Sequence, residues 1–269
     1  MKVTIIGAGN MGGAIARGLA KGNLLKASDI TCTAQSAATL EKIGAAHPGF
    51  VLTQDNVAAA QGADLILIAV KPWRVETVIR QIKGVLDYEK QMIASVAAGV
   101  SFDTLASFLQ RDDANGDCQT TLPPLFRLMP NTAVEVGSSM TFVSAKGASE
   151  TQIAQVLQLF DALGHTLFIE ERLMTAGTAL ASCGIAFALR YIRAAIEGGI
   201  ELGFYPKEAQ EIVAQTVLGA ARLLLESQNN PEVEIDKVTT PGGITIKGLN
   251  AMEQAGFTAA VINGLKACL

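Results

Sequence analysis

The feature that most constrains this chain is a glycine pattern, Gly7-Ala8-Gly9-Asn10-Met11-Gly12, set between an apolar run at residues 2–6 and helical spacing at 10–21. G-x-G-x-x-G alone is a weak signal, because glycines recur in ordinary turns. A strand before it and a helix after it supply the context of a dinucleotide fingerprint. The first glycine permits a tight turn, the second lets the backbone approach a pyrophosphate, and the third allows close helix–strand packing. The helix start then offers unpaired N–H groups and the positive end of its dipole to phosphate. A purely structural glycine turn is the competing reading. Met1, Lys2 and the apolar run imitate a signal peptide, but Gly7, Gly9, Gly12 and Gly13 break the run and Asn10 and Arg17 sit inside it. With no small-residue cleavage site following, the segment reads as the start of a globular fold.

The pattern continues as strand–helix alternation. Residues 30–33 read as a strand and 37–43 as a helix. The run DLILIAV at 64–70 is apolar nearly throughout, and 92–97 is similar, as expected of strands covered on both faces of a parallel sheet. Helical patterns at 75–85 and 102–109 intervene, and 111–124 is a polar loop. Strand-like runs follow at 126–129 and 139–143, then a helix at 149–163 and a last strand at 166–169. Such alternation predicts an α/β fold with a doubly wound sheet.

After Glu170 strand signals vanish. Residues 180–202 form one long helical pattern whose apolarity raises the transmembrane question. Arg190, Arg193, Glu197 and Glu201 fall on one stripe by their spacing, which predicts a helix packed in a helical domain instead. Pro206 opens another helix to about 226, 227–234 is polar loop, and two helices parted near Gly256 close the sequence. The expected organisation is a Rossmann-type domain at 1–168 and an all-α domain at 169–269. These helices are apolar around much of their circumference, so an intertwined homodimer is expected to cover them.

Composition narrows the partners. Of 269 residues, 49% are hydrophobic and 17% charged, enough to bury a sizeable core. A net charge of −4 gives no footprint for nucleic acid or an anionic membrane, which leaves small molecules and other copies of the chain. Cys32, Cys118, Cys183 and Cys268 are scattered, so neither a metal site nor a disulfide framework is expected, and a reducing cytoplasm fits.

The end of the second strand reads the cofactor. An NAD site carries an acid there for the ribose 2′-hydroxyl. This chain has Cys32, Thr33, Ala34, Gln35 and Ser36, without an acid, and Thr33, Ser36 and Thr39 offer hydroxyls to a 2′-phosphate. No arginine accompanies them. NADPH is favoured, with NADH as an alternative. Val70-Lys71-Pro72 lies at the carboxyl edge of the sheet, where open α/β folds bind ligands. Lys71 is placed to meet cofactor phosphate or ribose; a solvated surface lysine fits the pattern equally. Ala97-Ala98-Gly99 has side chains small enough for a nicotinamide ring to approach.

A second glycine loop, Thr239-Thr240-Pro241-Gly242-Gly243-Ile244-Thr245, precedes another helical pattern. It combines free N–H groups, threonine hydroxyls and a dipole end, which suit a carboxylate. It lacks the ending of a P-loop. A plain helix cap is the alternative. The two histidines, His47 and His165, sit in loop settings without a carboxylate partner nearby in sequence. This absence is informative, because a ketone needs a positioned acid as its alkoxide forms. A protonated imine already accepts hydride and needs mainly orientation and anchoring.

Together these motifs resemble the pyrroline-5-carboxylate reductase family. The resemblance runs in order through IGAGNMGGAI at 6–15, VKP at 70–72, SVAAGVS at 95–101, RLMPNT at 127–132 and TTPGGITIKGL at 239–249. It implies reduction of the C=N bond of 1-pyrroline-5-carboxylate to L-proline, in a homodimer or a ring of dimers. It places cofactor contacts on Gly7, Ala8, Gly9, Asn10, Met11, Ser36, Asn56, Val70, Lys71 and Ala97. The substrate carboxylate falls to Thr240, Gly243, Ile244 and Thr245, Thr178 stands near the imine, and Glu171 is a substrate-side acid. In β-hydroxyacid dehydrogenases of similar build a lysine on the long helix serves as acid, and residues 147–206 here contain none. Where the family shows S-G-S-G-P-A-Y, this chain has ASCGIAF at 181–187. Thr240 replaces a serine and Ala133 a proline. A related imine or hydroxyacid reductase, and a dinucleotide-binding sensor without turnover, are the competing readings; the intact second loop argues against the sensor.

Overall fold

The computed structural model describes residues 1–111 and 121–269. The polar stretch expected at 111–124 falls largely outside them, as does Cys118. Two compact units result, Met1–Ser182 and Cys183–Leu269.

The first unit is built on one eight-stranded sheet. Its strands are β1 (Val3–Ile6), β2 (Ile30–Thr33), β3 (Val51–Thr53), β4 (Leu65–Ile68), β5 (Met92–Ser95), β6 (Leu125–Met129), β7 (Ser139–Lys146) and β8 (Gly164–Phe168). The order is β3-β2-β1-β4-β5-β6-β7-β8. The first six strands are parallel, β7 runs antiparallel to β6, and β8 is parallel to β7. The order reverses between β1 and β4, the switch point where doubly wound folds bind ligands.

The apolar runs of β1, β4 and β5 are buried throughout because helices cover both faces. Side chains alternate between faces along a strand. Ile5, Leu65, Leu67 and Ala94 therefore join one core with Ile15 and Leu19 of α1 (Asn10–Lys21) and Phe160 of α6 (Glu150–Asp161). Ile66, Ile68 and Ile93 join the opposite core with Ile79 of α4 (Val75–Ile82) and Leu105 of α5 (Phe102–Leu109). Two short helices complete the connections, α2 (Ala37–Ala46) and α3 (Asn56–Ala60).

Sequence periodicity missed β3 and α3. A three-residue edge strand with no buried residue has no alternation to detect, and a five-residue helix is shorter than two turns. The helix α3 is fixed by its cap: Asp55 Oδ1 accepts from Val57 N and Ala58 N at 2.8 and 3.1 Å.

The segment after β8 makes a 3-10 turn at Glu171–Leu173, continues as α7 (Met174–Gly177) and widens into a π-helical stretch, Thr178–Cys183. In the second unit α8 (Gly184–Glu201) and α9 (Pro206–Ser227) pack along one another. They are followed by α10 (Pro231–Lys237), α11 (Ile244–Gln254) and α12 (Phe257–Lys266). The loop expected at 227–234 is corrected here. Asn230 caps a helix by accepting from Glu232 N at 3.0 Å, with Pro231 in its first turn, and seven residues are too few to show a helical period.

The stretch Glu171–Glu201 is long and apolar enough to cross a membrane by length and composition. It carries the Arg193–Glu197 ion pair at 2.8 Å on its exposed side. No residue of α8 is buried within the single chain, and apolar side chains such as Leu189 and Tyr191 lie open.

Candidate functional site

The site is assembled around the first glycine loop. Gly7 adopts φ +99°, a conformation that L side chains rarely adopt. A Cβ there would also lie 2.7 Å from Val70 Cγ1 and 2.9 Å from the Ala69 carbonyl oxygen. Gly7 N and Ala8 N donate to the Thr33 carbonyl at 3.1 and 2.7 Å, tying the loop to the end of β2. A Cβ on Gly12 would overlap the Gly7 carbonyl, so the third glycine allows α1 to press against the loop. Gly9 behaves differently: a Cβ on it would meet nothing within 4 Å. The second glycine therefore faces open space at the start of α1, where no side chain caps the helix. The Gly9 N–H is turned inward, donating to the Gly7 carbonyl at 2.8 Å, and the N–H groups of Asn10 and Met11, in the first turn of α1, are the ones a pyrophosphate reaches over Gly9.

Beside the loop, the switch point opens into a cleft of about 640 Å³ lined by Ala34, Gln35, Asn56, Val70, Arg74 and Gln81, among others. That volume suits the adenosine half of a dinucleotide. Of the expected cofactor residues, Asn56 and Val70 line it. Asn56 Oδ1 accepts from the buried Thr33 hydroxyl at 2.7 Å and its Nδ2 donates to Gln81 Oε1 at 3.1 Å, so the residue is locked in place. Ser36 is the N-cap residue of α2, yet its hydroxyl makes no capping bond. Lys71 is exposed and precedes the short turn Pro72–Arg74. Ala97 lies buried just beyond β5, its N–H donating to Ser95 Oγ at 3.2 Å.

Two features of this cleft escaped the sequence. Arg74 crosses from the far side of the switch point and its Nη1 donates to Gln35 Oε1. An arginine from the loop after β4 thus reaches the end of β2. Gln54 holds the Gln35 backbone carbonyl at 2.7 Å from its Nε2. The only available signal was the position of Arg74 just behind the Val70-Lys71-Pro72 motif, at the same sheet edge. Cys32, one residue before Thr33, is fully buried, and desolvation pushes its thiol up to about 12, so no thiolate stands near the cleft.

The expected substrate residues divide between the two units. In the first, Glu171 Oε1 accepts from Arg127 Nη1 at 2.8 Å and from Phe102 N, in the first turn of α5, at 2.7 Å. Its carboxylate thus has two protein partners. Thr178 opens the π-helical stretch, and its hydroxyl donates to the Met174 carbonyl at 2.7 Å, leaving oxygen lone pairs free. Asn131, buried, donates from Nδ2 to the Ala181 carbonyl at 3.4 Å, and Ser182 Oγ donates to the Pro130 carbonyl at 3.2 Å. The RLMPNT motif therefore grips 171–182 at both ends, through Arg127 and Asn131. Sequence reasoning quoted that motif without giving it this role. His47 ends α2 beside Phe50 and His165 lies on β8, both away from the cleft.

In the second unit, Gly242 takes φ +71° and Gly243 caps α11, its N–H donating to the Thr240 carbonyl at 2.9 Å. A Cβ on Gly243 would sit 2.6 Å from Thr240 Oγ1 and 3.0 Å from the Thr240 carbonyl oxygen, so a side chain there would displace the Thr240 hydroxyl. Among the described residues the hydroxyls of Thr240 and Thr245 have no hydrogen-bond partner, and no side chain caps α11. Ile244 N and Thr245 N belong to the open first turn of this helix. The loop therefore presents hydroxyl and N–H donors of the kind that suit a carboxylate.

Comparison with known proteins gives this arrangement relatives. Residues 2–99 match the family model "NADP oxidoreductase coenzyme F420-dependent", and residues 171–269 match "Pyrroline-5-carboxylate reductase dimerisation". Pyrroline-5-carboxylate reductases 1 and 2 of Dictyostelium discoideum are each 37% identical over 98% of the chain. The chain spans 48% of the first and 89% of the second. A pyrroline-5-carboxylate reductase structure from Coxiella burnetii, 28% identical, superposes with a TM-score of 0.88, covering 99% of this chain and 95% of that one. A Plasmodium falciparum pyrroline carboxylate reductase with NADP bound, 25% identical, gives 0.84 over 100% and 95% of the two chains.

Proposed function

The chain belongs to the pyrroline-5-carboxylate reductase family, and on that premise we propose that it reduces the C=N bond of 1-pyrroline-5-carboxylate to give L-proline, with NADPH as cofactor. The observation that carries this reading is a glycine loop at a helix start in each unit. One has its second glycine open for a pyrophosphate, and the other keeps two threonine hydroxyls without partners among the described residues.

When bound, the cofactor supplies the hydride. The chain's own residues bind and orient. Gly7, Ala8, Gly9, Asn10 and Met11 hold the pyrophosphate, while Ser36, Asn56, Val70 and Lys71 surround the adenosine half. Ala97 leaves room for the nicotinamide ring. Thr240, Gly243, Ile244 and Thr245 anchor the substrate carboxylate, and Thr178 presents its oxygen to the protonated imine. Glu171, bonded to Arg127 and to α5, holds the segment that carries Thr178. The product amine is neutral, so no side chain need deliver a proton to a developing alkoxide.

In this reading residues 1–168 form the cofactor domain and 169–269 the dimerisation and substrate domain. Homodimers, closing further into a ring, work in the cytoplasm. The open apolar faces of α8 and α9 support the dimer. The test is NADPH oxidation with pyrroline-5-carboxylate, pyrroline-2-carboxylate and piperideine carboxylates side by side. The five-membered 5-carboxylate is expected to give the highest kcat/KM. A clear preference for another ring or imine position overturns the substrate assignment and points to the altered ASCGIAF segment.

A further inference from the structure

We propose that Arg74 is the cation that reads the 2′-phosphate of NADPH, and so sets the cofactor preference of this chain. The inference rests on the NADPH reading above and names a residue for it outside the motifs that carry the family resemblance. The position is decided by the fold. In doubly wound domains the group at the ribose 2′ position is read at the end of the second strand. Here that place is occupied by Ala34, Gln35 and Ser36, of which Ser36 offers a hydroxyl and none carries a positive charge.

The turn Pro72–Arg74, closed by Arg74 N donating to the Lys71 carbonyl at 2.8 Å, sends the Arg74 guanidinium across the cleft to Gln35 Oε1. Gln35 is itself fixed from behind by Gln54. A guanidinium has five N–H donors in a planar fork. Gln35 takes one of them, and among the described residues no carboxylate forms an ion pair with Arg74. The remaining edge is free for the fork–fork geometry that arginine makes with phosphate.

One acid, Asp55, lines the same cleft. Its Oδ1 is engaged by Val57 N and Ala58 N, at the start of α3, rather than turned to a ribose hydroxyl. The helix start of α3 thus holds the Asp55 carboxylate, and the cation beside Gln35 is Arg74.

The test uses the full chain and two variants of an exposed residue, Arg74→Met and Arg74→Lys. Calorimetric titration with adenosine 2′,5′-bisphosphate and with 5′-AMP isolates the 2′ position without any imino acid. Arg74→Met is expected to weaken the bisphosphate by roughly ten- to a hundredfold, the loss of a charge-assisted hydrogen bond, while 5′-AMP affinity is retained. Arg74→Lys, keeping the charge without the fork, should fall between. Nicotinamide fluorescence should show the same selective loss for NADPH over NADH. Equal weakening of both adenosine ligands would overturn the proposal and make Arg74 a general support of the cleft through Gln35. Unchanged bisphosphate affinity would overturn it outright. A wild-type chain with no preference for the bisphosphate would instead sink the NADPH reading itself, and failure of the substrate assignment leaves these titrations unaffected.

Discussion

Arg127 Nη1 and Glu171 Oε1 lie 2.8 Å apart, and the same oxygen takes the Phe102 N–H at the start of α5. One carboxylate thus joins β6, α5 and the segment leading to Thr178. The Arg127 side chain is only 11% exposed, so the pair is partly shielded from water. Glu171→Gln should lower unfolding free energy by about 1–3 kcal/mol in urea denaturation. It should raise KM for the imino acid only modestly. Undiminished stability with a large KM effect would assign Glu171 to the substrate directly.

The glycine loop separates folding from binding. Gly7→Ala forces a left-handed conformation on a side chain that also meets Val70 and Ala69, and should cost about 2 kcal/mol or more. Gly9→Ala places its methyl group in open space. Its stability should change by less than about 1 kcal/mol, while NADPH affinity collapses because the pyrophosphate path is filled. Thermal denaturation and cofactor titration of both variants check this. A Gly9→Ala protein with normal affinity would remove the pyrophosphate from this loop.

Cys32 gives a pH dependence. Burial raises its thiol from an ordinary 9.0 to about 12. Above pH 9 the unfolded chain releases this proton and the folded chain keeps it, so the unfolded state binds fewer protons and stability falls with rising pH. Between pH 9 and 12 the contribution declines by about 1.4 kcal/mol per pH unit, and below pH 9 it is fully present. Cys32→Ala should flatten that part of the stability profile. Iodoacetamide at pH 8 should modify Cys32 only after unfolding, as mapped by mass spectrometry.

Thr245→Val removes a hydroxyl at nearly constant size from the open first turn of α11. Losing a hydrogen bond to a carboxylate should reduce kcat/KM about ten- to a hundredfold through KM, with NADPH binding intact. Proline, as product, should weaken in parallel. Unchanged kinetics would reduce the loop to a helix cap.

Assembly follows from the second unit. Leu202 is 83% and Leu225 78% exposed in the single chain, and Leu189, Tyr191 and Ile200 are also open. So much apolar surface on one unit needs a partner. Sedimentation at micromolar concentration should show dimers or larger closed assemblies and no folded monomer. A well-folded monomer would contradict this.

The sequence by itself determined whatever depends on a few neighbouring residues. The glycines at 7, 9 and 12 have their separate roles because backbone conformation and close approach are local matters. Runs such as LILI at β4 are uniformly apolar because both faces are covered, which marks a parallel sheet before any pairing is known. Thr240 to Thr245 read as a capped turn for the same local reason. Tertiary structure alone decided what meets across the chain. Arg74 reaches Gln35 over a separation of 39 residues, and Arg127 reaches Glu171 over 44. No periodicity or spacing rule encodes such encounters, since they depend on strand order and on which sheet edge each loop leaves. The short elements β3, α3 and α10 were invisible for a related reason. They contain too few residues to establish a period, and they are fixed by strand pairing and caps once the larger elements have placed them.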